Sequence, residues 1–183
     1  MSNHELSRGN VRRMVDDDLP GVLAWRNDPE IRRHMYTRHE ISLEEHRSWF
    51  ERATSDPSRH LLIFELDATP LGFVNFHAPG SGKIAEWGFY LSPMAPRGIG
   101  LMLGTAALDH GFGTLSFHKV CGEALASNEK SIRLHLKLGF KEEGVLRDQH
   151  FDGGSFHTVV RFGLLEAEWP NPTGNRDRDV LPS

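Results

Sequence analysis

Residues 95–100 read Ala-Pro-Arg-Gly-Ile-Gly, and they join a strand pattern to a helix pattern. Residues 83–91 alternate between an apolar face and a second face, as a strand does. Residues 99–110 place apolar side chains at helical spacing. Glycines let the backbone approach an anion closely, and the unpaired N–H groups of a first helical turn point at that anion. The junction therefore predicts a phosphate-binding turn in which Arg97 adds a cation.

Two commoner phosphate motifs are excluded by the residues that follow this turn. Leu101 and Met102 come after Gly100, so the lysine of a nucleotide-binding Walker loop is missing. A dinucleotide fingerprint needs a third glycine at position 103, which is leucine. A pyrophosphate held at a helix N-terminus stays open, and so does the alternative of a tight turn without a ligand.

The remaining chain predicts an α/β fold of the α+β type in which strands dominate. Strand patterns cover residues 10–15, 60–67, 71–78, 83–91, 119–125, 143–151 and 155–165. Helix starts are indicated at Asp16 to Asp18, at the capping box of Ser42 and Glu45, at the glycine turn and at Asn128. Tight turns are predicted at residues 68–70 and 152–154. The order β-α-α-β-β-β-α-β-α-β-β favours a mostly antiparallel sheet covered by helices.

The composition is that of one ordinary globular domain. The chain has 183 residues, 25% of them charged, and a formal net charge of −4, so no global field attracts nucleic acid or an anionic membrane. The single cysteine, Cys121, excludes an intrachain disulfide. Without a signal segment or a run of roughly 18 apolar residues, a cytoplasmic protein is expected. One domain is predicted over residues 10–169, with flexible tails at 1–9 and 170–183.

A second motif lies downstream of the glycine turn. Residues 128–135 read Asn-Glu-Lys-Ser-Ile-Arg-Leu-His, and residues 138–140 read Leu-Gly-Phe. Together with the turn and the element order, they resemble the GNAT acetyltransferase family over nearly the whole predicted domain. The resemblance implies the GNAT acyl-CoA N-acyltransferase fold, with about seven strands and about four flanking helices. It also implies that the parallel strands 83–91 and 118–125 splay apart around the acetyl thioester.

The resemblance implies acetyl-CoA as the cosubstrate. In the family the glycine turn binds the pyrophosphate of coenzyme A, which makes the cofactor-binding residues here Leu91, Arg97, Gly98, Ile99 and Gly100. The residue matching Asn128, and the helix after it with Ser131, contact the pantetheine arm. Ala95 and Pro96 depart from the residues that are usual in the family turn. This departure places more of the phosphate charge on Arg97.

Acetyl transfer to an amine needs a base, a stabilised oxyanion and a protonated leaving thiol. Glu123, beside the splay, is the first candidate for a base that acts through water, and Glu86 on the facing strand is the second. The alternative for either is an ion pair with a nearby Arg or Lys. His135 stands where many family members have a tyrosine near the cofactor sulfur, so it is a candidate general acid or a residue that positions the sulfur. No metal is expected, because no ligand spacing fits His34, His39 and His46.

The acceptor amine is chosen in this family by the segments before the third strand. Residues 25–36 and 40–50 bring groups together that are suited to stack a base and pair with a diphosphate. With residues 86–91 and 118–123, they resemble the PseH-type branch, which acetylates the 4-amino group of a UDP-linked 4-amino-4,6-dideoxy-AltNAc sugar in pseudaminic acid biosynthesis. The resemblance implies a nucleotide-sugar cleft lined by Arg26, Met35, Tyr36, His46, Glu86 and Tyr90.

Two alternative functions stay open. A protein N-terminus is the runner-up acceptor, because ribosomal-protein alanine acetyltransferases share the Trp-Arg-Asn of residues 25–27 and the Asn-x-x-Ser helix. A non-catalytic acetyl-CoA-binding module is the other, given the unusual Ala95 and His135. The edge strand near the C-terminal hairpin is compatible with a homodimer.

Overall fold

The computed structural model describes residues 9–170, which form seven strands and five α-helices. The strands are β1 (Asn10–Arg13), β2 (Arg59–Leu66), β3 (Thr69–His77), β4 (Ile84–Leu91), β5 (Lys119–Leu125), β6 (Lys141–Phe151) and β7 (Phe156–Leu165). The helices are α1 (Leu19–Asn27), α2 (Pro29–Arg32), α3 (Leu43–Ser55), α4 (Ile99–Asp109) and α5 (Glu129–Lys137). The predicted tails, apart from Gly9 and Pro170, lie outside the described residues.

One mixed sheet contains all seven strands in the order β1-β2-β3-β4-β5-β7-β6. Neighbouring strands pair antiparallel except β4 and β5, which run parallel because α4 crosses over between them. The predicted mostly antiparallel sheet with one parallel pair is therefore confirmed. Four helices have nine or more residues, as expected, and α2 adds a single turn that the sequence patterns did not indicate.

Local capping explains where several helices begin and end. Ser42 Oγ accepts a 3.1 Å hydrogen bond from Glu45 N, which fixes the predicted start of α3. Asn128 Oδ1 accepts a 3.2 Å bond from Ser131 N and starts α5 in the same way. Gly139 follows α5 with φ of 89°, a conformation that favours glycine and ends the helix at the predicted place.

Strand alternation divides the core between the two faces of the sheet. On one face α4 packs on a cluster that contains Phe64 and Phe76, each 0% exposed. On the other face α1 and α3 pack on a cluster that contains Ile63 and Phe73. Full burial of such a side chain contributes about 1.5–3 kcal/mol. Because residues 63 and 64 point to opposite faces, a one-residue slip of β2 would exchange the two cores.

The hairpin between β2 and β3 turns one residue earlier than predicted. Leu66 pairs with Thr69, so the turn consists of Asp67 and Ala68 rather than residues 68–70. Both turn residues have positive φ, 49° and 59°. Two consecutive positive φ angles suit the right-handed twist of a hairpin, but they are rare for alanine. The proline at position 70 was therefore a misleading signal, since it lies in the strand.

Candidate active site

The parallel strands β4 and β5 separate partway along their length. They pair at only three positions, the last of which joins Glu86 to Cys121, and both strands continue beyond it. A cavity of about 280 Å³ lies where they part. It brings together seven of the predicted site residues, namely Met35, Tyr36, Glu86, Glu123, Asn128, Ser131 and His135. The predicted splay is therefore present, and the candidate catalytic residues line it.

The glycine turn lies at the N-terminus of α4, as predicted. Gly98 is the residue before the helix and has φ of 89°, a conformation that side chains other than glycine rarely adopt. Ile99 N donates to Pro96 O at 3.4 Å, and Leu101 N donates to Gly98 O at 3.3 Å. Within residues 9–170 the N–H groups of Arg97, Gly98 and Gly100 have no acceptor.

This turn fits a pyrophosphate. Three unpaired N–H groups, the positive end of the α4 dipole and the exposed Arg97 side chain offer several donors to one anion. Arg97 makes no ion pair with any residue that the structure describes, so its charge is available. The predicted Leu91 lies beside the turn, since its Cδ1 is 3.6 Å from where a Cβ on Gly100 would be.

Glu123 is held at both carboxylate oxygens. The Tyr36 hydroxyl donates to Oε2 at 2.8 Å, and Arg161 Nε lies 3.0 Å from Oε1. Arg161 Nη2 also donates to Oε1 of Glu86 at 3.1 Å, so one guanidinium bridges both candidate bases. Burial, followed by the hydrogen bond to Glu123, raises the pKa of Tyr36, which keeps its proton on the phenol. The ion-pair alternative is thus present for both carboxylates.

Sequence reasoning missed Arg161. The antiparallel register of β5 and β7 places it directly opposite Glu123. Its signal in the sequence is slight: it is the only Arg or Lys in β7, whose other positions are mostly apolar. That single cation implies a nearby acid, but the sequence does not give the register that identifies the acid.

His135 differs from the general-acid expectation. The side chain is 1% exposed, and Nε2 accepts a 3.1 Å hydrogen bond from Trp87 Nε1, which can only donate. Nδ1 lies 2.8 Å from the carbonyl oxygen of Ser131, which can only accept, so Nδ1 carries the hydrogen. Burial lowers the pKa of His135, with the bond to Ser131 opposing it. The ring is neutral and has no free proton to donate toward the cavity.

Three predicted acceptor residues form a second group that does not line the cavity. Arg26 Nη2 donates to Thr37 O at 2.7 Å, while Nη1 is buried and without an acceptor among residues 9–170. The ring of Tyr90 packs on Phe73 at 5.1 Å, and burial raises its pKa. His46 is 3% exposed and stacks on Trp49 at 5.1 Å, so contact with a ligand would require its neighbours to move.

Gly88 lies between the residues that line the cavity and this second group. It lies between Glu86 and Tyr90 on the same face of β4, because side chains alternate along a strand. A Cβ added to Gly88 would meet nothing within 4 Å, and Gly88 lines the cavity. The glycine therefore leaves open space on the face of β4 between Glu86 and Tyr90.

Residues 9–170 contain neither a candidate metal site nor a candidate membrane-spanning helix. No group of three or more His, Cys, Asp or Glu side chains there is arranged to hold a metal ion. No helix there is long and apolar enough to cross a membrane. His39 pairs with Glu45, and His46 stacks on Trp49.

A splayed parallel strand pair beside an anion-binding glycine turn defines the site of an acyl-CoA acyltransferase. A model of the Acetyltransferase (GNAT) domain matches residues 8–141. The chain therefore belongs to the GNAT acetyltransferase family, and it is an acetyl-CoA-dependent enzyme that acetylates amines.

The relatives of this chain include acetyltransferases with different names. Spermidine N(1)-acetyltransferase of Escherichia coli strain K12 is 24% identical over 161 residues, which are 87% of either chain. Acetyltransferase PseH of Campylobacter jejuni is 24% identical over 131 residues, 72% of this chain and 82% of that protein. The spermidine N-acetyltransferase of Vibrio cholerae, solved in complex with CoA and spermine, has a TM-score of 0.81 at 23% identity and covers 88% of this chain and 97% of its own. This structural likeness confirms the predicted fold.

Proposed function

We propose that this enzyme acetylates a primary amine carried by an anionic small molecule, and that a UDP-linked amino sugar is the acceptor it fits best. Acetyl-CoA supplies the acetyl group as a thioester, and coenzyme A leaves as the thiol. The residues that would hold it are the glycine turn 97–100 and, along the pantetheine arm, Asn128 and Ser131, which line the cavity.

Glu123 accepts the proton that the substrate ammonium must lose before its nitrogen attacks the acetyl carbon. An ionised carboxylate has about four acceptor sites, so the bonds from Tyr36 and Arg161 leave room for a water molecule that carries the proton. Those two bonds hold the carboxylate in one orientation, which is what a base that acts through water requires. Tyr36 and Arg161 are positioning residues in this scheme.

His135 has a structural role in the cavity and does not protonate the leaving sulfur. Its hydrogen bond to Trp87 ties α5 to β4 at the wall of the cavity, and its bond to Ser131 within α5 fixes the orientation of the ring. A Cβ added to Gly122 would lie 2.5 Å from His135 Nε2 and 2.6 Å from Trp87 Nε1, so these two side chains fill the space where the strands begin to part. We infer that they keep the strands separated, and that the leaving sulfur takes its proton from the substrate amine or from water.

The choice of acceptor rests on the contacts of Arg161 with both Glu86 and Glu123. Glu86 and Glu123 are the only carboxylates among the described residues that line the cavity, and Arg161 binds both. The cavity therefore offers no unpaired acid to a polycation. In contrast, Nη1 of Arg26 is buried and has no acceptor among residues 9–170, so this guanidinium can donate to a diphosphate once its neighbours move.

Two other acceptors remain in competition. Spermidine is the substrate named for the bacterial relatives, but its remaining ammonium groups would lie near Arg161 and Arg26. A peptide N-terminus also offers a primary amine, but it makes no use of Arg26. The protein N-terminus and the non-catalytic binding module are therefore outcomes that the test must distinguish.

The test compares three acceptors at equal concentration with acetyl-CoA: UDP-4-amino-4,6-dideoxy-AltNAc, spermidine and an N-terminal alanyl peptide. Mass spectrometry of the acetylated product gives kcat/KM for each. We expect the nucleotide sugar to exceed spermidine by at least about 100-fold, roughly 2.7 kcal/mol of transition-state discrimination. We also expect UDP to inhibit competitively with the sugar. Faster acetylation of spermidine or of the peptide would overturn the proposal, and no product with any acceptor would favour the binding module.

A further inference from the structure

A second cavity, of about 300 Å³, lies at the opposite end of α4 from the glycine turn. Its lining residues are Arg13, Met14, Thr54, Asp56, Pro57, Arg59, His60, Leu61, Leu62 and His110. None of these residues lines the acetyl-transfer cavity. Four of the ten are basic, and they come from the end of β1, the start of β2 and the π-helical turn His110–Thr114 after α4.

Of the two arginines that line this cavity, one is paired with a carboxylate of the described residues and the other is not. Asp56 is its only carboxylate among the described residues, and Asp56 already accepts from Ser58 and pairs with Arg59 at 3.4 Å. Arg13 forms no ion pair within residues 9–170, although Arg12 beside it pairs with both Asp18 and Glu65. Arg13 therefore leaves an unpaired guanidinium beside the cavity, and such a charge attracts an anion.

Two imidazoles in the lining have unused ring nitrogens. The side chains of His60 and His110 have no hydrogen-bond partner in the part of the chain that the structure describes. Burial, followed by the charge of Arg13, lowers the pKa of His60. Burial, followed by the charge of His60, lowers the pKa of His110. An anion between these groups would receive donors from both rings and relieve their mutual repulsion.

The π-helical turn places His110 at this cavity. Such turns are rare and destabilise a helix slightly, and they occur frequently at functional sites. The turn also keeps Gly111 against the core, where a Cβ would lie 3.3 Å from Phe117 and 3.4 Å from Phe76. His110 therefore projects from a rigid support rather than from a loose helix end.

From these observations we propose that the cavity lined by Arg13, Arg59, His60 and His110 is a second ligand site, which binds a phosphate group. Guanidinium and imidazole donors from three elements match the several acceptor oxygens of a phosphate. The volume exceeds that of a phosphate ion, since a water molecule takes about 30 Å³ of liquid. The apolar lining residues Met14 and Leu61, which belong to the same core cluster, suit the organic part of a small phosphomonoester.

The experiment is a calorimetric titration of the full chain, already saturated with coenzyme A so that the glycine turn is occupied. Inorganic phosphate and glycerol 3-phosphate are the two probes. Arg13→Gln removes one donor and leaves the fold intact, because the Arg13 side chain is exposed and makes no ion pair. Arg59→Gln is a second variant, and Arg52→Gln, an exposed position on α3 that does not line the cavity, is the charge-matched control.

We expect each cavity variant to weaken binding of both probes by at least about 10-fold and the Arg52→Gln control to leave it unchanged. Tighter binding of glycerol 3-phosphate than of phosphate would identify a phosphomonoester as the ligand, and equal binding would identify free phosphate. Proton NMR should show two histidine pKa values rising when the probe is added, and His110→Gln should remove one of them. The site is refuted if neither probe binds the coenzyme A complex, or if Arg13→Gln binds as the control does.

Discussion

The Tyr36 hydroxyl donates a 2.8 Å hydrogen bond to Oε2 of Glu123, which joins the segment after α2 to strand β5 across the cavity. The ring of Tyr36 also packs against His150 of β6, with 4.6 Å between the ring centroids and 35° between the ring planes. A residue outside the sheet therefore orients a carboxylate within it. Because Tyr36 and Glu123 are hydrogen-bonded, a substitution of either residue should change the orientation of the other.

Glu123→Gln should lower kcat by about 10²- to 10⁴-fold, because the amide cannot take up the ammonium proton. The affinity for acetyl-CoA should stay unchanged, as Glu123 lies away from the glycine turn. Tyr36→Phe keeps the ring on His150 and removes only the hydrogen bond, so we expect kcat/KM to fall by about 10-fold or more. Steady-state kinetics of both variants and of the double variant form the measurement.

The double variant should be no slower than Glu123→Gln alone, because Tyr36 acts through the carboxylate. Glu142→Gln on the exposed part of β6 is the matched control and should behave as the parent enzyme. Additive losses in the double variant would show that Tyr36 acts on the substrate independently of Glu123.

Arg161→Gln should change the choice of acceptor. The substitution frees Glu86 and Glu123 from their shared guanidinium, so the cavity acquires two unpaired acids. We expect kcat/KM for spermidine to rise relative to the nucleotide sugar by about 10-fold, through attraction of the second ammonium group. Arg147→Gln on β6, which does not line the cavity, is the control. An unchanged ratio would mean that the bridge orients the base without selecting the acceptor.

Local features of the site could be predicted because neighbouring residues determine them. The glycine turn needs only a positive φ at Gly98 and a helix after it. The sequence indicates both, through a glycine and the helical spacing of the apolar residues that follow it. The cap at Asn128 likewise depends on a residue three positions away. Strand alternation in β4 correctly separated Trp87, which is buried in the core, from the exposed Glu86.

The contacts between side chains on distant strands and helices could not be predicted, because they depend on strand register and on packing. Arg161 meets Glu123 because β7 pairs with β5 at that position, and a shift of one residue would put Val160 there instead. The hydrogen bond between His135 and Trp87 likewise needs the packing of α5 on β4. The sequence makes His135 a candidate acid, but the donor that occupies its lone pair is visible only in three dimensions.

The neutral state of His135 has a consequence for stability in mild acid. Its pKa is lowered by burial, while in the unfolded chain a histidine titrates near about 6.5. Above that pH both states are neutral, and below it the unfolded chain binds a proton that the folded chain refuses. The free energy of unfolding therefore falls as the pH drops from about 6.5 toward 5, by up to about 1.4 kcal/mol per pH unit from this group.

His135→Gln should make this decline shallower, as measured by urea unfolding at pH 7, 6 and 5. The window lies above the usual pKa of Asp and Glu, so the ion pairs of Asp18 and Asp152, whose pKa values are lowered, contribute little to the slope there. His118→Gln, at an exposed position, is the control. If His135→Gln shows the same slope as the parent protein, the imidazole is already charged in the fold.

Two glycines with the same backbone angle allow the anion site to be tested apart from stability. Gly98 and Gly139 both have φ of 89°, and a Cβ would meet nothing within 4 Å at Gly98 and only Leu164 at 3.9 Å at Gly139. Alanine at either position should cost about 1 kcal/mol of unfolding free energy, because the left-handed conformation is strained for it. Only at Gly98 does the strain act on the N–H groups that face a pyrophosphate.

Gly98→Ala should therefore raise the dissociation constant for acetyl-CoA by about 10-fold, whereas Gly139→Ala should leave it unchanged. Arg97→Ala should also raise it, without loss of stability, since its side chain makes no ion pair among residues 9–170. Calorimetry gives the dissociation constants and thermal unfolding gives the stability of each variant. Equal affinities for the two alanine variants would show that the amides of this turn do not hold the cofactor, and the charge of Arg97 would then have to account for the binding alone.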